Sequence, residues 1–178
     1  HGHTIPYFDR TKVTTYIAVE PNELFHPVLR ATAAKYGYNE ASGSFILIPL
    51  GAENSSDILK SLGDHHIDNG VDTIISILTF CSIPSAETVI TQFIGQLLRP
   101  GGILLFLEHV RSNRPDVRRW QTRWTPIWTL FFDGCRMDVP SDRLINDMDI
   151  WAEKEVWSRD DETDERLFWH RVGRYVRA

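Results

Sequence analysis

The sequence has few cysteines, no long hydrophobic run and no excess of positive charge, and each absence excludes a class of protein. Two cysteines in 178 residues cannot form a disulfide framework. No apolar stretch approaches the roughly 20 residues that a membrane-spanning helix needs. A net charge of −5 argues against a nucleic-acid binder, because such proteins usually carry a basic face. We therefore expect one globular domain over residues 1–178, located in a reducing, intracellular compartment such as the cytoplasm.

Short apolar runs alternate with amphipathic stretches along the chain, and this alternation predicts an α/β fold with a parallel sheet covered by helices. The predicted strands are residues 16–19, 45–50, 73–80 and 103–107. The predicted helices are residues 24–36, 58–62, 85–98 and 120–132, the last with a break at Pro126. Arg99-Pro-Gly-Gly predicts a sharp turn between helix and strand. Residues 151–157 and 168–176 are predicted to close the sheet as an antiparallel pair.

The residues just after each predicted parallel strand are the first candidates for a site, because ligands of open α/β sheets bind beyond the carboxyl ends of the strands. A carboxylate such as Glu20 can accept hydrogen bonds from both hydroxyls of a ribose, or it can simply complement the start of the next helix. The small residue Ala52, followed by Glu53, lets an adenine ring approach the backbone, or forms a plain turn. Thr79 either lines a cofactor site or completes the core.

Several short motifs occur in an order that is more specific than any one of them alone. Val-Glu-Pro-Asn at 19–22, Gly-Ala-Glu at 51–53, Leu-Arg-Pro-Gly-Gly at 98–102 and Phe-Leu-Glu-His-Val at 106–110 follow one another. This series resembles a class I S-adenosylmethionine (SAM)-dependent methyltransferase. The tryptophan-rich segment ending Phe-Phe-Asp-Gly-Cys at 131–135 narrows the resemblance to the methyltransferase-like proteins that methylate alkyl thiols.

The resemblance implies a Rossmann-like sheet of seven strands, with helices on both faces and the last strand antiparallel. It implies that SAM is the cofactor, with Glu20 on its ribose, Ala52 and Glu53 beside the adenine, and Thr79 near the methionine part. Gly2 would be the last glycine of the family's Gly-x-Gly-x-Gly loop. The first strand of the family's sheet is then absent from this chain.

The missing strand has a physical consequence if the 178 residues are taken by themselves. It normally lies between the strands predicted at 16–19 and 73–80, so both would lose hydrogen-bond partners. Each unpaired buried backbone group costs on the order of 1–3 kcal/mol, against a total stability of about 5–15 kcal/mol. We therefore expect a truncated chain that is marginally stable or inactive alone.

Candidate catalytic groups are few, because methyl transfer is a direct displacement at an activated sulfonium. A thiol acceptor needs little further help, because a few per cent of it is thiolate at neutral pH. For an oxygen or nitrogen acceptor, which needs a base, His109 is the best candidate, with a hydrogen-bonded core histidine as the alternative. Asp133 could orient a base or a substrate, or cap the turn at Gly134. Cys81 and Cys135 are interpreted as packing, since displacement needs no enzyme nucleophile. No metal site is predicted, because no spacing of Cys and His residues is typical of one.

The predicted enzyme transfers a methyl group from SAM to a small apolar acceptor, with a thiol as the favoured class. Two other interpretations stay open: a non-catalytic methyltransferase-like binding or scaffold module, and a nicotinamide-dependent oxidoreductase. No nucleic-acid partner is expected, and the sequence does not fix the oligomeric state. Four aromatic residues at helical spacing favour core packing, with a pocket wall or a membrane contact as the alternatives: Trp120, Trp124, Trp128 and Phe131.

Overall fold

The computed structural model describes residues 2–178, which form two compact units that divide between His66 and Ile67. The first unit contains strand β1 (Tyr16–Val19), helix α1 (His26–Lys35), strand β2 (Phe45–Ile48) and helix α2 (Ser55–Asp64). The second unit contains β3 (Val71–Ile77), α3 (Ala86–Leu97), β4 (Leu98–Val110), α4 (Pro115–Phe131), α5 (Ser141–Asn146), β5 (Trp151–Trp157) and β6 (Trp169–Arg177).

The first unit is built on a pair of parallel strands, β1 and β2, in the register Tyr16 to Phe45. The core of this unit consists of buried side chains from the strands, from α1 and from the flanking loops: Ile5, Ala18, Leu29, Ala33, Tyr38 and Phe45. Burial of this apolar surface stabilises the unit by roughly 25 cal/mol for each Å² removed from water. The pairing places the residues that follow β1 and β2 at the same edge.

The second unit is a four-stranded sheet in the order β3-β4-β6-β5. Strands β3 and β4 are parallel, whereas β6 runs antiparallel to both β4 and β5. The α/β fold class and the antiparallel last strand predicted from the sequence are confirmed. Within residues 2–178, β1 pairs only with β2, and β3 pairs only with β4 along one edge. The absence of the family's first strand from this chain stays a prediction.

The predicted turn at Arg99-Pro-Gly-Gly is instead a bulge inside β4, which is a correction. Val71 pairs with Leu98, and Thr73 pairs with Ile103, so residues 99–102 stand opposite Asp72 alone. Gly101 provides the positive φ of 74° that the bulge requires. An ion pair from Arg99 to Asp72 closes it. The strand therefore begins five residues earlier than the apolar run indicates.

Helix α4 differs from the prediction in extent and in orientation. It begins at Pro115, where proline suits the first turn, and it continues through Pro126 without a break. The predicted aromatic core face is wrong: Trp120 is 54% exposed and Phe131 is 76% exposed. The buried face of α4 carries Val117, Gln121 and Thr125. Hydrophobicity at helical spacing therefore identified the helix but not the face that packs against the sheet.

Candidate active site

A cleft of about 480 Å³ opens in the second unit, at the end of the sheet where β3 and β4 have their carboxyl ends. This is the edge at which open α/β sheets bind ligands. Its lining is mainly apolar and aromatic, with two histidines and two cysteines: Leu78, Cys81, Ser82, His109, Trp128, Phe132, Cys135, Phe168 and His170. Such a lining, apolar with a few polar groups, is typical of a small-molecule site.

The backbone after β3 is held in an unusual conformation at the mouth of this cleft. Leu78 has a φ of 52°, in the left-handed region that a branched residue rarely adopts. The following residues Phe80–Ser82 form a 3₁₀ turn that places Cys81 against the cleft. Strain of this kind costs of order 1–3 kcal/mol and persists only where the surroundings enforce it.

The buried carboxylate of Glu108 enforces this turn. Its Oε1 accepts a hydrogen bond of 2.6 Å from the hydroxyl of Ser76 on β3 and another of 3.0 Å from the backbone N–H of Thr79. Burial raises the pKa of Glu108, and the two hydrogen bonds oppose that shift. The sequence placed Glu108 at the strand end but gave it no role. The structure shows that it joins the tips of β3 and β4.

His109 and the two cysteines form a chain of close contacts facing the cleft. The Nε2 of His109 lies 3.1 Å from the Sγ of Cys135, which lies 3.5 Å from the Sγ of Cys81. When Cys135 is ionised, the thiol of Cys81 donates to it and lowers the pKa of Cys135 to about 4, with a smaller contribution from His109. The same contact, together with burial, raises the pKa of Cys81.

Aromatic rings form the remaining walls of the cleft. The rings of Trp128 and Phe132, at the end of α4, stack with centroids 3.5 Å apart, and Phe168 lies 4.7 Å from Trp128. Phe168 also meets the ring of His109 edge-on at 5.6 Å. These contacts fix the imidazole and surround it with apolar surface. Of the four aromatic residues predicted as core, Trp128 is the one that the structure places in this pocket wall.

The structure brings together some of the residues proposed from the sequence and separates others. His109 is buried and lines the cleft, and Thr79 lies three residues before its Ser82. The Thr79 side chain is exposed and donates to the carbonyl of Ile77. Asp133 is exposed, has a φ of 50° and is not among the lining residues. Its role in orienting a base or substrate stays a prediction.

In the first unit, Glu20 and the loop 51–53 leave the same edge of the β1-β2 pair, because the N–H of Glu20 donates to the carbonyl of Ile48. One oxygen of the Glu20 carboxylate accepts the N–H of Asn22 at 2.8 Å. Ala52 is half-buried, and the Glu53 carboxylate lies back against Gly51. Their cofactor roles stay predictions.

Gly2 lies elsewhere in the first unit. Its φ is 72°, and a side chain at this position would press on Ile5. It lines a shallow cleft with residues of α1 that include Val28 and Thr32. The lining of this cleft contains none of Glu20, Ala52 and Glu53. The place of Gly2 in a glycine-rich cofactor loop is therefore also still a prediction.

The sequence did not reveal the cluster of Cys81, His109 and Cys135. The first two follow β3 and end β4, so strand-end reasoning pointed at each of them separately. Cys135 lies after α4, and only folding brings it within reach of the other two. His170 was missed as well, although its register opposite His109 on β6 puts both beside the cleft.

Comparison with solved structures defines the class of fold. The carbon methyltransferase CurJ matches 98% of this chain and 44% of its own, with a TM-score of 0.64 and 17% identity. The N-methyltransferase NodS from Bradyrhizobium japonicum, solved with S-adenosylhomocysteine, matches 92% of this chain and 66% of its own, with a TM-score of 0.56 and 12% identity. The chain therefore has the Rossmann-like fold of class I SAM-dependent methyltransferases.

Curated relatives point to a narrower group. The chain is 35% identical to human thiol S-methyltransferase TMT1A over 71 residues, and 34% identical to the rat thiol S-methyltransferase TMT1B over the same length. Each match covers 39% of this chain and 29% of the relative, so less than a third of those proteins is matched. No protein-family profile matches the sequence. Among the helices of residues 2–178, none is long and apolar enough to cross a membrane.

Proposed function

We propose that the protein transfers a methyl group from SAM to a small apolar acceptor, and that the acceptor is an alkyl thiol. The observation that carries this proposal is the cleft at the tips of β3 and β4, where His109 and two cysteines face a wall of aromatic rings. The methyltransferase fold and the local similarity to thiol S-methyltransferases support the same reaction. An apolar cleft of about 480 Å³ suits a small acceptor.

Several residues would hold SAM, and their chemistry fits it. The Glu20 carboxylate has one oxygen engaged by Asn22, while Oε2 has no hydrogen bond within the described part of the chain. That oxygen is available to the hydroxyls of a ribose. Ala52 offers a small side chain beside the backbone for an adenine ring, with Glu53 next to it. Thr79 is exposed close to the cleft and would meet the methionine part.

Bound SAM would supply a methyl group on a sulfonium, and the protein supplies orientation and proton handling. The acceptor thiol would give its proton to His109, and its sulfur would take the methyl group from the sulfonium, with a thioether and S-adenosylhomocysteine as the products. His109 is the proposed proton acceptor, because its ring faces the cleft. The walls formed by Trp128, Phe132 and Phe168 exclude water and orient the acceptor.

Methyl transfer from labelled SAM to a series of alkyl thiols and phenols tests the proposal. We expect thiols to be methylated in preference to phenols, and His109→Gln to lower kcat/KM by about 10²-fold or more, the range of one general base. His65→Gln is the matched control, since His65 is exposed outside the cleft. Equal activity of the two variants would remove His109 from the reaction.

The two other interpretations predict different ligand responses. A ligand that binds only the folded state at about 100 times its Kd stabilises by about 2.7 kcal/mol. A methyltransferase should therefore melt at a higher temperature with SAM and show no change with NAD. An oxidoreductase would show the reverse pattern, and a scaffold module would respond to neither.

A single domain in a reducing, intracellular setting remains part of our proposal.

A further inference from the structure

Three soft donor atoms converge at the cleft. The Sγ atoms of Cys81 and Cys135 and a ring nitrogen of His109 all lie within 4.8 Å of one another. Cys81 and His109 are 2% and 5% exposed, and Cys135 is half-buried at the cleft wall. Two thiols and an imidazole are the donor set that favours Zn²⁺ over harder cations such as Mg²⁺.

Two of the three separations are close to those of a tetrahedral zinc site. Zinc–sulfur bonds of about 2.3 Å and zinc–nitrogen bonds of about 2.0–2.1 Å place two sulfurs about 3.8 Å apart, and a sulfur and a nitrogen about 3.6 Å apart. The sulfurs of Cys81 and Cys135 are 3.5 Å apart, and Nε2 of His109 is 3.1 Å from Cys135. These two pairs would have to move apart by a few tenths of an ångström, and the donor atoms of Cys81 and His109 lie within 4.8 Å of each other.

The fold positions the three donors independently, so that the cluster does not depend on one flexible loop. Cys81 sits on the 3₁₀ turn after β3, which Glu108 holds through the backbone of Thr79. His109 belongs to β4, paired on both sides. Cys135 follows α4, where the N–H of Arg136 donates to the carbonyl of Cys81 at 2.9 Å. That backbone bond links the two cysteine-bearing segments directly.

We propose that Cys81, His109 and Cys135 bind a Zn²⁺ ion whose fourth position opens to the cleft and takes the sulfur of the acceptor. The part of this proposal that concerns the acceptor rests on the proposed thiol methylation. Three protein ligands with one open position are the arrangement of catalytic rather than structural zinc, and two cysteines with one histidine are a known catalytic set.

The ion gives the thiol its reactivity in this arrangement. A thiol that coordinates zinc loses its proton to solvent as it displaces the bound water, so a thiolate is present at neutral pH. Its sulfur then attacks the methyl carbon and leaves the ion as a thioether, while the sulfonium sulfur keeps the electron pair of the broken bond. With the ion bound, Nε2 of His109 is a ligand, and the ion replaces the imidazole in generating the thiolate.

Metal content measures the site without reference to methyl transfer. The protein, purified under reducing conditions without chelator, is analysed for zinc by mass spectrometry, then reloaded with Co²⁺ and examined for thiolate-to-cobalt charge transfer in the near ultraviolet. We expect about one zinc per chain and a cobalt–thiolate band. Cys81→Ser and Cys135→Ser should each weaken zinc binding by more than the 10–100-fold typical of losing an outer-shell partner. Ser56→Ala, at an exposed position of α2 outside the cleft, should bind zinc like the unmodified protein.

A measurement on the unmodified protein covers the case in which a cysteine variant fails to fold. Zinc should protect Cys135 from iodoacetamide, and a chelator should restore its alkylation. The absence of zinc uptake, equal alkylation with and without zinc, or a disulfide between Cys81 and Cys135 in the freshly reduced protein would overturn the site.

Two further outcomes separate this proposal from the proposed function. If zinc binds and both cysteine variants lose it, the zinc site is established even when no thiol is methylated. In that case only the proposed thiol methylation is rejected. Thiol methylation that is unchanged by removing zinc and by both cysteine variants overturns the metal proposal and leaves the methyltransferase standing.

Discussion

At the scale of single residues, Asp142 at the start of α5 illustrates a carboxylate whose burial outweighs its attraction to a nearby cation. Its Oδ2 lies 3.9 Å from Nε of Arg171, which is too long for a hydrogen bond, and Oδ1 has no partner within residues 2–178. Desolvation raises the pKa of Asp142, against the opposing effects of the Arg143 backbone and of Arg171.

The raised pKa of Asp142 predicts a dependence of stability on pH. The folded state holds the proton of Asp142 more tightly than the unfolded state does. Asp142 therefore stabilises the fold below its ordinary pKa of about 3.9, and this stabilisation is lost as the pH rises through the raised pKa. We therefore expect Asp142→Asn to gain stability relative to the unmodified protein across that window and to level off above it. Urea unfolding at a series of pH values measures the difference. Asp160→Asn, at an exposed position, is the control and should show no such trend.

At the scale of elements, α4 is held to the sheet through a buried glutamine rather than through its tryptophans. Oε1 of Gln121 accepts the N–H of Ser112, and its amide donates to the carbonyls of Val110 and Leu167. Gln121 is fully buried and satisfies three backbone groups, and its bonds to Ser112 and Val110 are buried. It joins the end of β4 to the segment before β6.

Replacing this glutamine should therefore be costly. Because each unsatisfied buried polar group costs about 1–3 kcal/mol, we expect Gln121→Ala to lower the free energy of unfolding by about 3 kcal/mol or more. Trp120→Ala is the matched control on the neighbouring position, and its 54% exposure predicts a loss of under about 1 kcal/mol. Chemical denaturation compares the two. A larger loss for Trp120→Ala would restore the aromatic face as the packed face of α4.

The pairing of β4 with β6 depends on a glycine under an aromatic ring. Gly173 lies opposite Phe106 in the register, and a side chain on Gly173 would overlap the Phe106 ring. We expect Gly173→Ala to destabilise the fold by about 1–3 kcal/mol through overpacking. Adding Phe106→Leu should cost less than the sum of the two single changes, because the smaller side chain relieves the overlap. Additive losses in thermal unfolding would contradict this explanation.

At the scale of the whole molecule, the division into two compact units predicts where the chain is most easily cut. The exposed residues His65, His66 and Asp68 fall at the boundary between the units, and His66 has a positive φ of 63°. Limited digestion with proteinase K should therefore give early fragments that end or begin near residues 64–70. Mass spectrometry locates the cuts. Initial cleavage inside β4 or α3 would contradict the assignment of this boundary.

The amino-acid sequence by itself determined the kind and order of the strands and of the longer helices, but the short helix α5 was not predicted. An apolar run identified β1 to the residue. Alternation of apolar and polar residues identified β5 to the residue and β6 within one residue, because side chains of a strand alternate between its two faces. The motif series pointed to a methyltransferase fold, which the comparison with solved structures confirms. Strand-end reasoning reached His109 and the turn that carries Cys81, since it needs only chain order.

The tertiary structure alone decided which face of α4 is buried and which side chains meet at the cleft. Helical periodicity is the same for an aromatic face turned inward or outward, and buried hydrogen bonds to Gln121 settle that choice for α4. Cys81 and Cys135 are 54 residues apart, and their contact depends on the packing of α4 beside the strand tips. Local patterns carry no information about such distant contacts, because these arise only when separate elements pack together.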